Sequence, residues 1–219
     1  MRKFAMDLHV HTSRSDGTAE PYYMVKYARK LGLDGIAITD HDTAISEDDI
    51  ENIQEKLGIS IIIPGVESSS LQGHLIILGV YEAPEKHLHV RDVIKFARKR
   101  NGLIVIPHPF DFLRSGVGHI AVHLKADAIE VYNGGTLFEI FNSMAYNLAL
   151  KLNLPMVAGS DAHDPLELGS AFTIIYSENN DLNSILDAIR HGNTFPVYNK
   201  KNIVEKIILK MSRKIKKLT

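Results

Sequence analysis

The sequence predicts an α/β fold with a parallel sheet that closes, at this length, into a small barrel. Short apolar runs of β character alternate with helical stretches along the 219 residues. The runs are nearly continuous in Ile, Val and Leu, which is typical of parallel strands covered on both faces. Repeated alternation of strand and helix indicates a parallel sheet, and single barrels often reach about 200–250 residues.

Eight strands and five helices can be assigned in order along the chain. The strands are expected at residues 4–10, 34–39, 59–66, 74–80, 103–108, 127–132, 155–160 and 171–176. The helices are expected at residues 20–31, 46–57, 89–101, 136–152 and 181–191. Ser46, with Asp49 three residues later, indicates a variant of the capping box at the start of the second helix.

The composition excludes several classes of protein. Hydrophobic residues make up 45% of the chain and the formal net charge is −1, so a large core can be buried. The chain has no cysteine, which excludes disulfides and leaves nitrogen and oxygen ligands for any metal. No run approaches the roughly 18 apolar residues of a membrane span, and the first residues lack the apolar stretch of a signal peptide. We therefore expect a cytoplasmic globular protein with no membrane partner.

The C-terminal segment, residues 200–219, differs in charge from the rest of the chain. It contains eight Lys or Arg residues and one acid, Glu205. Its apolar residues repeat on one helical face: Ile203, Val204, Ile207, Ile208, Met211 and Ile215. Residues 1–199 are predicted to form the barrel domain, and residues 200–219 a basic amphipathic helix packed on it. The alternative is a basic surface for nucleic acid or an acidic partner.

Ionisable residues concentrate where the predicted apolar strands end. His9 and His11 are two residues apart on the first strand, so their side chains share one face. In a parallel barrel the C-terminal strand ends lie on one rim, where active sites are built. The residues expected around this mouth are His9, His11, Asp16, His41, Glu67, His108, Asp161 and His163, together with His74 at the start of the fourth strand.

A cluster of this composition indicates a metal centre with more than one ion. A lone histidine at a strand end is more often structural, but six histidines and three carboxylates are difficult to explain as core filling. Burying that many ionisable groups without partners would cost several kcal/mol each. Divalent ions neutralise the carboxylates and bind the imidazole lone pairs, and such ligands suit Zn, Mn or Fe.

The same residues carry a resemblance to a known family. The segments are, in order, DLHVHTSRSDGT, ITDHDT, PGVES, GHLIILGV, IPHPF, EVYNG and GSDAHDPLELGSAFT. Over about residues 5–175 they resemble the motifs of the PHP (polymerase and histidinol phosphatase) superfamily. They are most similar to those of the stand-alone PHP phosphoesterases. The resemblance implies an α/β fold of the distorted (β/α)7 TIM-like barrel type, which holds two or three divalent metal ions.

The resemblance also implies how the ligands divide among three metal sites. The first site would use His9, His11, Glu67 and Asp161. The second site would use Glu67, His74 and His108, with Glu67 bridging the two. The third site would use Asp16, His41 and His163. Side chains that could orient the ligating histidines are Asp7, Asp40 and Asp42, with hydrogen bonding at turns and strand ends as the alternative role.

Clustered divalent ions predict hydrolysis of phosphoesters. Such ions, about 3.5–4 Å apart, generate hydroxide near neutral pH and hold both the attacking and the leaving oxygen. Phosphoester hydrolysis depends on this because its catalysis is largely positioning and electrostatics. We expect a metal-bridging hydroxide to attack in line, with Glu67, Asp161 and His163 as catalytic residues at the metals. Arg114 is the expected cation for the substrate phosphate.

Several substrates and functions fit these residues. The leading class is a nucleotide or another small phosphorylated metabolite. The alternatives are an exonuclease acting on short oligonucleotides and a histidinol-phosphate-type phosphatase. A non-catalytic metal-binding accessory protein is a third possibility, although the intact ligand set counts against it. The sequence sets no oligomeric state.

The remaining histidines are predicted to lie away from the metals. His119 is a candidate for substrate contact, and His123 is expected to be structural or solvated. The expected surface residues are His87, His89 and His191. Asn133, in the EVYNG segment, is expected at the rim of the site without an assigned role.

Overall fold

The structure is a computed structural model that describes residues 1–58, 61–199 and 211. Within this part of the chain, nine strands form one mixed sheet in the order β7-β6-β5-β4-β3-β2-β1-β8-β9. The strands are β1 (Arg2–Val10), β2 (Gly35–Ile38), β3 (Ile61–Ser70), β4 (Gly73–Leu78), β5 (Leu103–Ile106), β6 (Ala128–Asn133), β7 (Met156–Gly159), β8 (Ala171–Ser177) and β9 (Thr194–Tyr198).

Within residues 1–199, as far as they are described, five α-helices accompany the sheet, close to where the sequence predicts them. They are α1 (Pro21–Lys30), α2 (Glu47–Leu57), α3 (Val90–Lys99), α4 (Glu139–Leu152) and α5 (Leu182–Arg190). Short 3-10 helices cover Phe112–Arg114, Gly118–His123 and Pro165–Glu167. The predicted cap of α2 is confirmed, because the Asp49 amide donates to the Ser46 hydroxyl over 3.3 Å. The cap satisfies one of the amides that the first turn leaves free.

The sheet curls until its two ends almost meet, which gives the predicted barrel type. β1 is hydrogen-bonded to β2 on one side and to β8 on the other. Just beyond β7, the Asp161 amide donates to the His9 carbonyl over 2.9 Å, and Ala162 bridges to Val10. Gly159 permits this approach, because a Cβ there would lie 2.4 Å from the Cβ of His9. The barrel is therefore nearly closed where β7 passes β1.

The prediction of a parallel sheet is wrong for two of the predicted strands, β4 and β8, and the described strand β9 also pairs in the antiparallel sense. β4 runs antiparallel to β3 and β5, β8 is antiparallel to β1, and β9 is antiparallel to β8. Only two residues separate β3 from β4, and a connection that short joins antiparallel strands alone. The reversal places His74, at the start of β4, beside the C-terminal end of β3.

Strand β9 was not predicted, because Pro196 interrupts a short run of five residues. A proline cannot donate to a neighbouring strand, so a run that contains one reads poorly as a strand. Among the described strands, β9 lies at the end of the strand order and pairs with β8 alone. An edge strand is the place where a sheet tolerates proline.

Neighbouring residues of the strands are buried on opposite faces of the sheet. Ile63 and Ile76 belong to the inner core, which α5 closes with Ile185 and other apolar side chains. The outer face of β4 contributes Ile77 to a second core with α3 and α4. A third core packs α1 and α2 against the outer face of β1 to β3. Burial on both faces explains why the strands are almost entirely apolar.

An irregularity in β1 turns the metal-ligand candidates toward the mouth of the barrel. Leu8 packs in the inner core, whereas Val10, two residues on, packs outside with α1 and α2. Regular alternation would place both on one face, but the register with β2 shifts between Asp7 and Val10. Irregularities of this kind re-aim side chains beside functional sites. Here the shift accompanies the burial of His9 and His11 inside the mouth.

The predicted amphipathic helix at 200–219 lies, apart from Met211, outside the described residues. The barrel prediction for residues 1–199 and the tail prediction therefore stay as the sequence states them. Among the described residues, no helix has the length and apolar character needed to cross a membrane.

Candidate metal centre

All nine predicted ligands come together at the C-terminal mouth of the barrel. In four overlapping groups of three or four residues, the candidate ligand atoms lie within 4.8 Å of one another. The groups contain His9, His11, Asp16, His41, Glu67, His74, His108, Asp161 and His163. Strand ends supply most of these residues, as a barrel rim requires.

Glu67, at 1% exposure near the end of β3, is the centre of this cluster. Its Oε1 lies 3.0 Å from His74 Nδ1 and 3.0 Å from His108 Nε2. Its Oε2 lies 3.2 Å from His11 Nε2 and 3.4 Å from His9 Nε2. The two oxygens of one carboxylate thus face two different pairs of imidazoles, as a bridging ligand would.

Asp161 faces the same pair of imidazoles as Glu67 Oε2. Its Oδ1 lies 3.7 Å from His9 Nε2 and 3.4 Å from His11 Nε2. Together with Glu67, this geometry reproduces the first predicted ligand set. The second predicted set, in which His74 and His108 share Glu67, is also brought together.

The third predicted set lies nearer to solvent. His163 Nε2 is 3.1 Å from Asp16 Oδ2, and His41 Nε2 is 4.0 Å from Asp16 Oδ1. His41 also approaches Glu67, with its Nδ1 3.2 Å from Oε2. His11 stacks on His163 with ring centroids 4.2 Å apart. The third group is therefore continuous with the other two.

Glu130, on β6, is a buried residue of the site that the sequence analysis did not identify. Its Oε1 accepts from His9 Nδ1 over 3.0 Å, and its Oε2 accepts from the His108 amide over 2.9 Å. A carboxylate in this position orients a ligating imidazole and increases its basicity. The sequence did offer a sign of this residue, because Glu130 is the acid within the apolar run AIEVY. Its side chain points into the barrel like those of the strand-end ligands.

We expect Glu130→Gln to lower metal affinity or activity about 10- to 100-fold, the usual effect of losing such a partner. Glutamine keeps the shape of the side chain but removes the charge that polarises His9. The test measures bound metal and hydrolysis rate together. Glu51→Gln, on the exposed face of α2, is the matched control. Wild-type metal content and rate in Glu130→Gln would contradict this role.

The three aspartates proposed to orient histidines bind other groups instead. Asp7 accepts from the amides of Ser160 and Gly169 over 2.8 and 3.1 Å. Asp40 accepts from the Thr12 amide and hydroxyl over 2.7 and 2.6 Å. These carboxylates hold loops in place, because loop amides buried near the mouth need acceptors.

Asp42, the third of these aspartates, likewise accepts from a backbone amide. Its partner is Ser69, over 2.7 Å, and Lys86 lies 3.7 Å away. The alternative role, hydrogen bonding at turns and strand ends, is therefore the correct one for all three aspartates.

Asn133 lies inside the site and not at its rim, since its side chain is fully buried. Its Nδ2 donates to Glu130 Oε2 over 2.9 Å and to Asp161 Oδ2 over 3.2 Å. Arg114 donates to the same Asp161 oxygen. These hydrogen bonds to Oδ2 hold the Asp161 carboxylate so that its other oxygen, Oδ1, faces His9 and His11.

Two of the candidate ligands hold backbone conformations that are uncommon for their residue types. His108 has a φ of 29° and Asp161 a φ of 54°. Non-glycine residues adopt positive φ rarely, at a cost of roughly 1–3 kcal/mol each. The amide of His108 is held by Glu130 and that of Asp161 by the His9 carbonyl. The surrounding site thus keeps both side chains aimed into the cluster.

The electrostatics of the centre favour bound cations. Burial opposes ionisation of Glu67, but the positive charge of His9 holds the pKa of that carboxyl well below its usual range. Burial also opposes ionisation of Asp161, yet Arg114 and His9 hold its pKa well below the ordinary value. Burial disfavours the His9 cation as well, but Asp161 and Glu130 raise the pKa of His9 well above its usual value.

The ring nitrogens fit a metal better than they fit one another. His9 Nδ1 faces a carboxylate that can only accept, so a neutral His9 turns its Nε2 lone pair toward His11 Nε2, 3.1 Å away. Among the described residues, the buried Nδ1 atoms of His11 and His108 have no hydrogen-bond partner. Their Nε2 atoms face Glu67 at 3.2 and 3.0 Å, so a divalent ion at the cluster would be bound through the Nε2 lone pairs of these histidines.

A cavity of about 260 Å³ opens above the cluster. Its walls include the side chains of Arg114, Leu113 and Leu137 together with six of the candidate ligands. Arg114 is 14% exposed and also donates to the Gly135 carbonyl over 2.9 Å. The predicted cation for the substrate therefore lines the same cavity as the metal centre.

The other histidines lie outside the cluster. The exposed ones are His87, His89, His119, His123 and His191. His119 packs edge-on against Phe110, with ring centroids 5.9 Å apart, and does not line the cavity. His119 therefore lies outside the lining of this cavity, and its candidate role in substrate contact stays a prediction.

A barrel whose mouth gathers histidines and carboxylates around an open cavity defines a metal-dependent hydrolase of the TIM-like type. Comparison with family models identifies the protein family within this class. The chain matches the family model of the PHP domain over residues 7–151, and that of a PHP-associated region over residues 139–194. The first match covers more than half of the chain, so the chain belongs to the PHP family.

Similar proteins include an uncharacterized protein and two enzymes with named activities. An uncharacterized protein of Methanocaldococcus jannaschii is 30% identical over 163 residues, which are 69% of this chain and 94% of that protein. A 5′-3′ exoribonuclease of Haemophilus influenzae is 39% identical over 64 residues, 29% of this chain and 23% of the enzyme. A phosphoribosyl 1,2-cyclic phosphate 1,2-diphosphodiesterase of Eggerthella lenta is 32% identical over 82 residues, 35% of this chain and 31% of the enzyme.

A solved structure has the same fold. It is a two-domain protein of Bacteroides vulgatus that contains a predicted PHP-like metal-dependent phosphoesterase. The TM-score is 0.75 at 22% identity, over 94% of this chain and 69% of the other. Fold, family and site together make this chain a metal-dependent phosphoesterase.

Proposed function

We propose that this phosphoesterase hydrolyses phosphate esters of small molecules, with nucleotides as the leading substrate class. The observation that carries the proposal is the cavity, in which the candidate metal ligands and Arg114 share about 260 Å³. Ligand pockets commonly measure about 300–1,000 Å³. A cavity of this size suits a small substrate whose phosphoryl group lies beside the metal ligands and Arg114.

The nine clustered residues are proposed to hold two or three divalent ions. Glu67 would bridge two sites, because its two oxygens face different imidazole pairs. The site of Asp16, His41 and His163 would hold the third ion. Bound ions of this kind activate water and offset the charge of the phosphoryl oxygens. Nitrogen and oxygen ligands suit Zn, Mn or Fe.

Arg114 is proposed to bind the substrate phosphate. It lines the cavity while contacting Asp161 and the Gly135 carbonyl. A guanidinium has five donors in a planar fork, so it keeps these contacts and still presents a donor to a phosphate oxygen. Because Arg114 is largely withdrawn from water, that charge-assisted bond would be strong.

Asp161 and His163 are proposed to act at the metals. His163 Nδ1 lies 2.9 Å from the Asp161 carbonyl oxygen, which accepts the proton of that nitrogen. The other ring nitrogen, Nε2, then presents a lone pair beside Asp16. Asp161 is held by Asn133 and Arg114 with one oxygen toward the histidines. These contacts fix the orientation of both side chains before substrate binds.

Hydrolysis of short oligonucleotides is the second candidate function. Local similarity to the exoribonuclease of Haemophilus influenzae supports it. The eight basic residues of 200–219 would add contacts to backbone phosphates. Hydrolysis of histidinol phosphate stays a further alternative from the sequence resemblance, and a cytoplasmic location stays a prediction from composition.

A substrate screen distinguishes these functions. The full chain is supplied separately with Mn, Zn and Fe and assayed on mononucleotides, sugar phosphates, histidinol phosphate and short oligonucleotides. We expect the highest kcat/KM on a mononucleotide, with little change when residues 200–219 are removed. Activity confined to oligonucleotides, reduced by salt and by that truncation, would favour the nuclease. No hydrolysis with any of the three ions would contradict both functions.

A further inference from the structure

Two loops beside the cavity expose large apolar side chains to solvent. Phe112, which begins the first 3-10 helix, is 71% exposed, and Phe138, just before α4, is 47% exposed. Leu113, which follows Phe112, and Ile140, two residues after Phe138, are also exposed. Exposed apolar groups that cluster at one place commonly mark a binding site. Here the cluster adjoins the catalytic cavity.

The aromatic rings of the two loops meet in one structure. Phe141, in the first turn of α4, lies between the two exposed rings. Its ring centroid is 5.6 Å from that of Phe112 and 6.1 Å from that of Phe138, at interplanar angles of 80° and 87°. Edge-to-face packing of this kind is favourable and directional. We refer to Phe112, Phe138 and Phe141 as the aromatic lip.

The lip is continuous with the wall of the cavity. Leu113 follows Phe112 and lines the cavity, and Leu137 precedes Phe138 and lines it as well. Each loop therefore contributes one leucine inside the cavity and one phenylalanine at its edge. These two leucines join the cavity wall to the lip along the chain.

Buried polar contacts fix the lip relative to the phosphate-binding cation. Asp111 accepts from the Thr136 hydroxyl over 2.9 Å, which ties the two loops together. Arg114 donates to the Gly135 carbonyl across the same gap over 2.9 Å. Gly135 leaves room for this contact, since a Cβ there would lie 2.4 Å from Arg114 Nη2. The lip and the guanidinium are therefore held at a set separation before substrate arrives.

We propose that the aromatic lip binds the base of a nucleotide substrate while the cavity holds its phosphate. This inference rests on the proposed function and specifies its substrate class. The cavity is open at its mouth, so a substrate whose phosphate lies at the metal ligands extends outward past the edge where the lip lies. A planar base stacks on exposed aromatic faces in a sequence-tolerant way, whereas a sugar phosphate has no ring to stack.

The test compares two substrates that differ in the base. Adenosine monophosphate and ribose 5-phosphate carry the same phosphate on the same sugar carbon. In Phe112→Ala/Phe138→Ala we expect the kcat/KM ratio of the nucleotide to the sugar phosphate to fall about ten-fold, within the range of base–aromatic stacking. Phe112→Leu/Phe138→Leu, which stays apolar but lacks the rings, should lose most of the same selectivity.

Phe195→Ala is the matched control. Phe195 is an exposed phenylalanine on the edge strand β9, outside the residues that line the cavity. We expect its selectivity ratio to equal that of the wild type. An unchanged ratio in both lip variants overturns the inference and leaves the proposed function standing. A change of oligomeric state in the lip variants without a change in the ratio overturns it too, because the lip would then be a protein interface. If the wild type hydrolyses neither substrate, the proposed function fails together with the inference.

Discussion

Glu67→Gln is expected to lower kcat by roughly three orders of magnitude or more, about 4 kcal/mol in the barrier. Both oxygens of Glu67 face imidazoles, through His74 and His108 on one side and His9 and His11 on the other. Glutamine is close in size but carries no charge, and its amide nitrogen is a donor. The amide nitrogen of this glutamine would face at least one pair of histidines as a donor, and the neutral amide could not bridge two cations.

The measurement is metal bound per chain together with hydrolysis of a generic aryl phosphate. Glu67→Gln should bind fewer ions than the wild type and hydrolyse the ester at a rate near background. Its circular dichroism spectrum should be unchanged, because the barrel core does not depend on Glu67. Full metal content with a rate within about ten-fold of the wild type would contradict the bridging role, since that is under 1.4 kcal/mol.

Removing the metal ions is expected to make stability fall as pH rises. Without ions, burial disfavours the His11 cation, but Asp161 and Glu67 raise its pKa from 6.5 to about 9. When folding raises the pKa of a group, that group stabilises the folded state. For His11 this stabilisation is fully present below about pH 6.5 and is lost as the pH rises through about 9. In the loaded protein the ring binds an ion instead of a proton, so this window should be nearly flat.

Thermal unfolding of the metal-free and loaded proteins between pH 6.5 and 9 tests this expectation. Across this pH range the metal-free protein should lose a few kcal/mol of unfolding free energy. This loss corresponds to a fall in Tm of roughly 5–10 °C for a chain of this size. The metal-free His11→Gln variant should show a smaller fall. A metal-free Tm that stays constant or rises across the window would contradict the assignment of His11 to the cluster.

The sequence predicted which residues meet because barrel geometry places strand ends together. His9, His108 and Asp161 each follow or end an apolar run, and a rim built from such ends collects them. His74 could not be placed on the same reasoning, because it begins its strand. The short β3–β4 connection reverses β4 and brings this residue to the rim.

The residues behind the cluster were harder to predict, because their roles depend on register and loop packing. Asp7 and Asp40 lie next to the motif histidines in sequence but accept from loop amides and hydroxyls. Glu130 lies 121 residues from His9 and nevertheless contacts its ring. Local sequence spacing carries no information on such a pair. It arises where β6 and β7 curl round to β1 and the barrel nearly closes.

The most direct test of the account is to strip the chain of metal and then restore single ions. Bound metal and aryl phosphate hydrolysis are measured on the same samples. The stripped chain should be inactive, and activity should return in proportion to the Mn, Zn or Fe bound at the cluster. Full activity in a chain shown to contain no metal would contradict the assignment of His9, His11 and Glu67 to a catalytic metal centre.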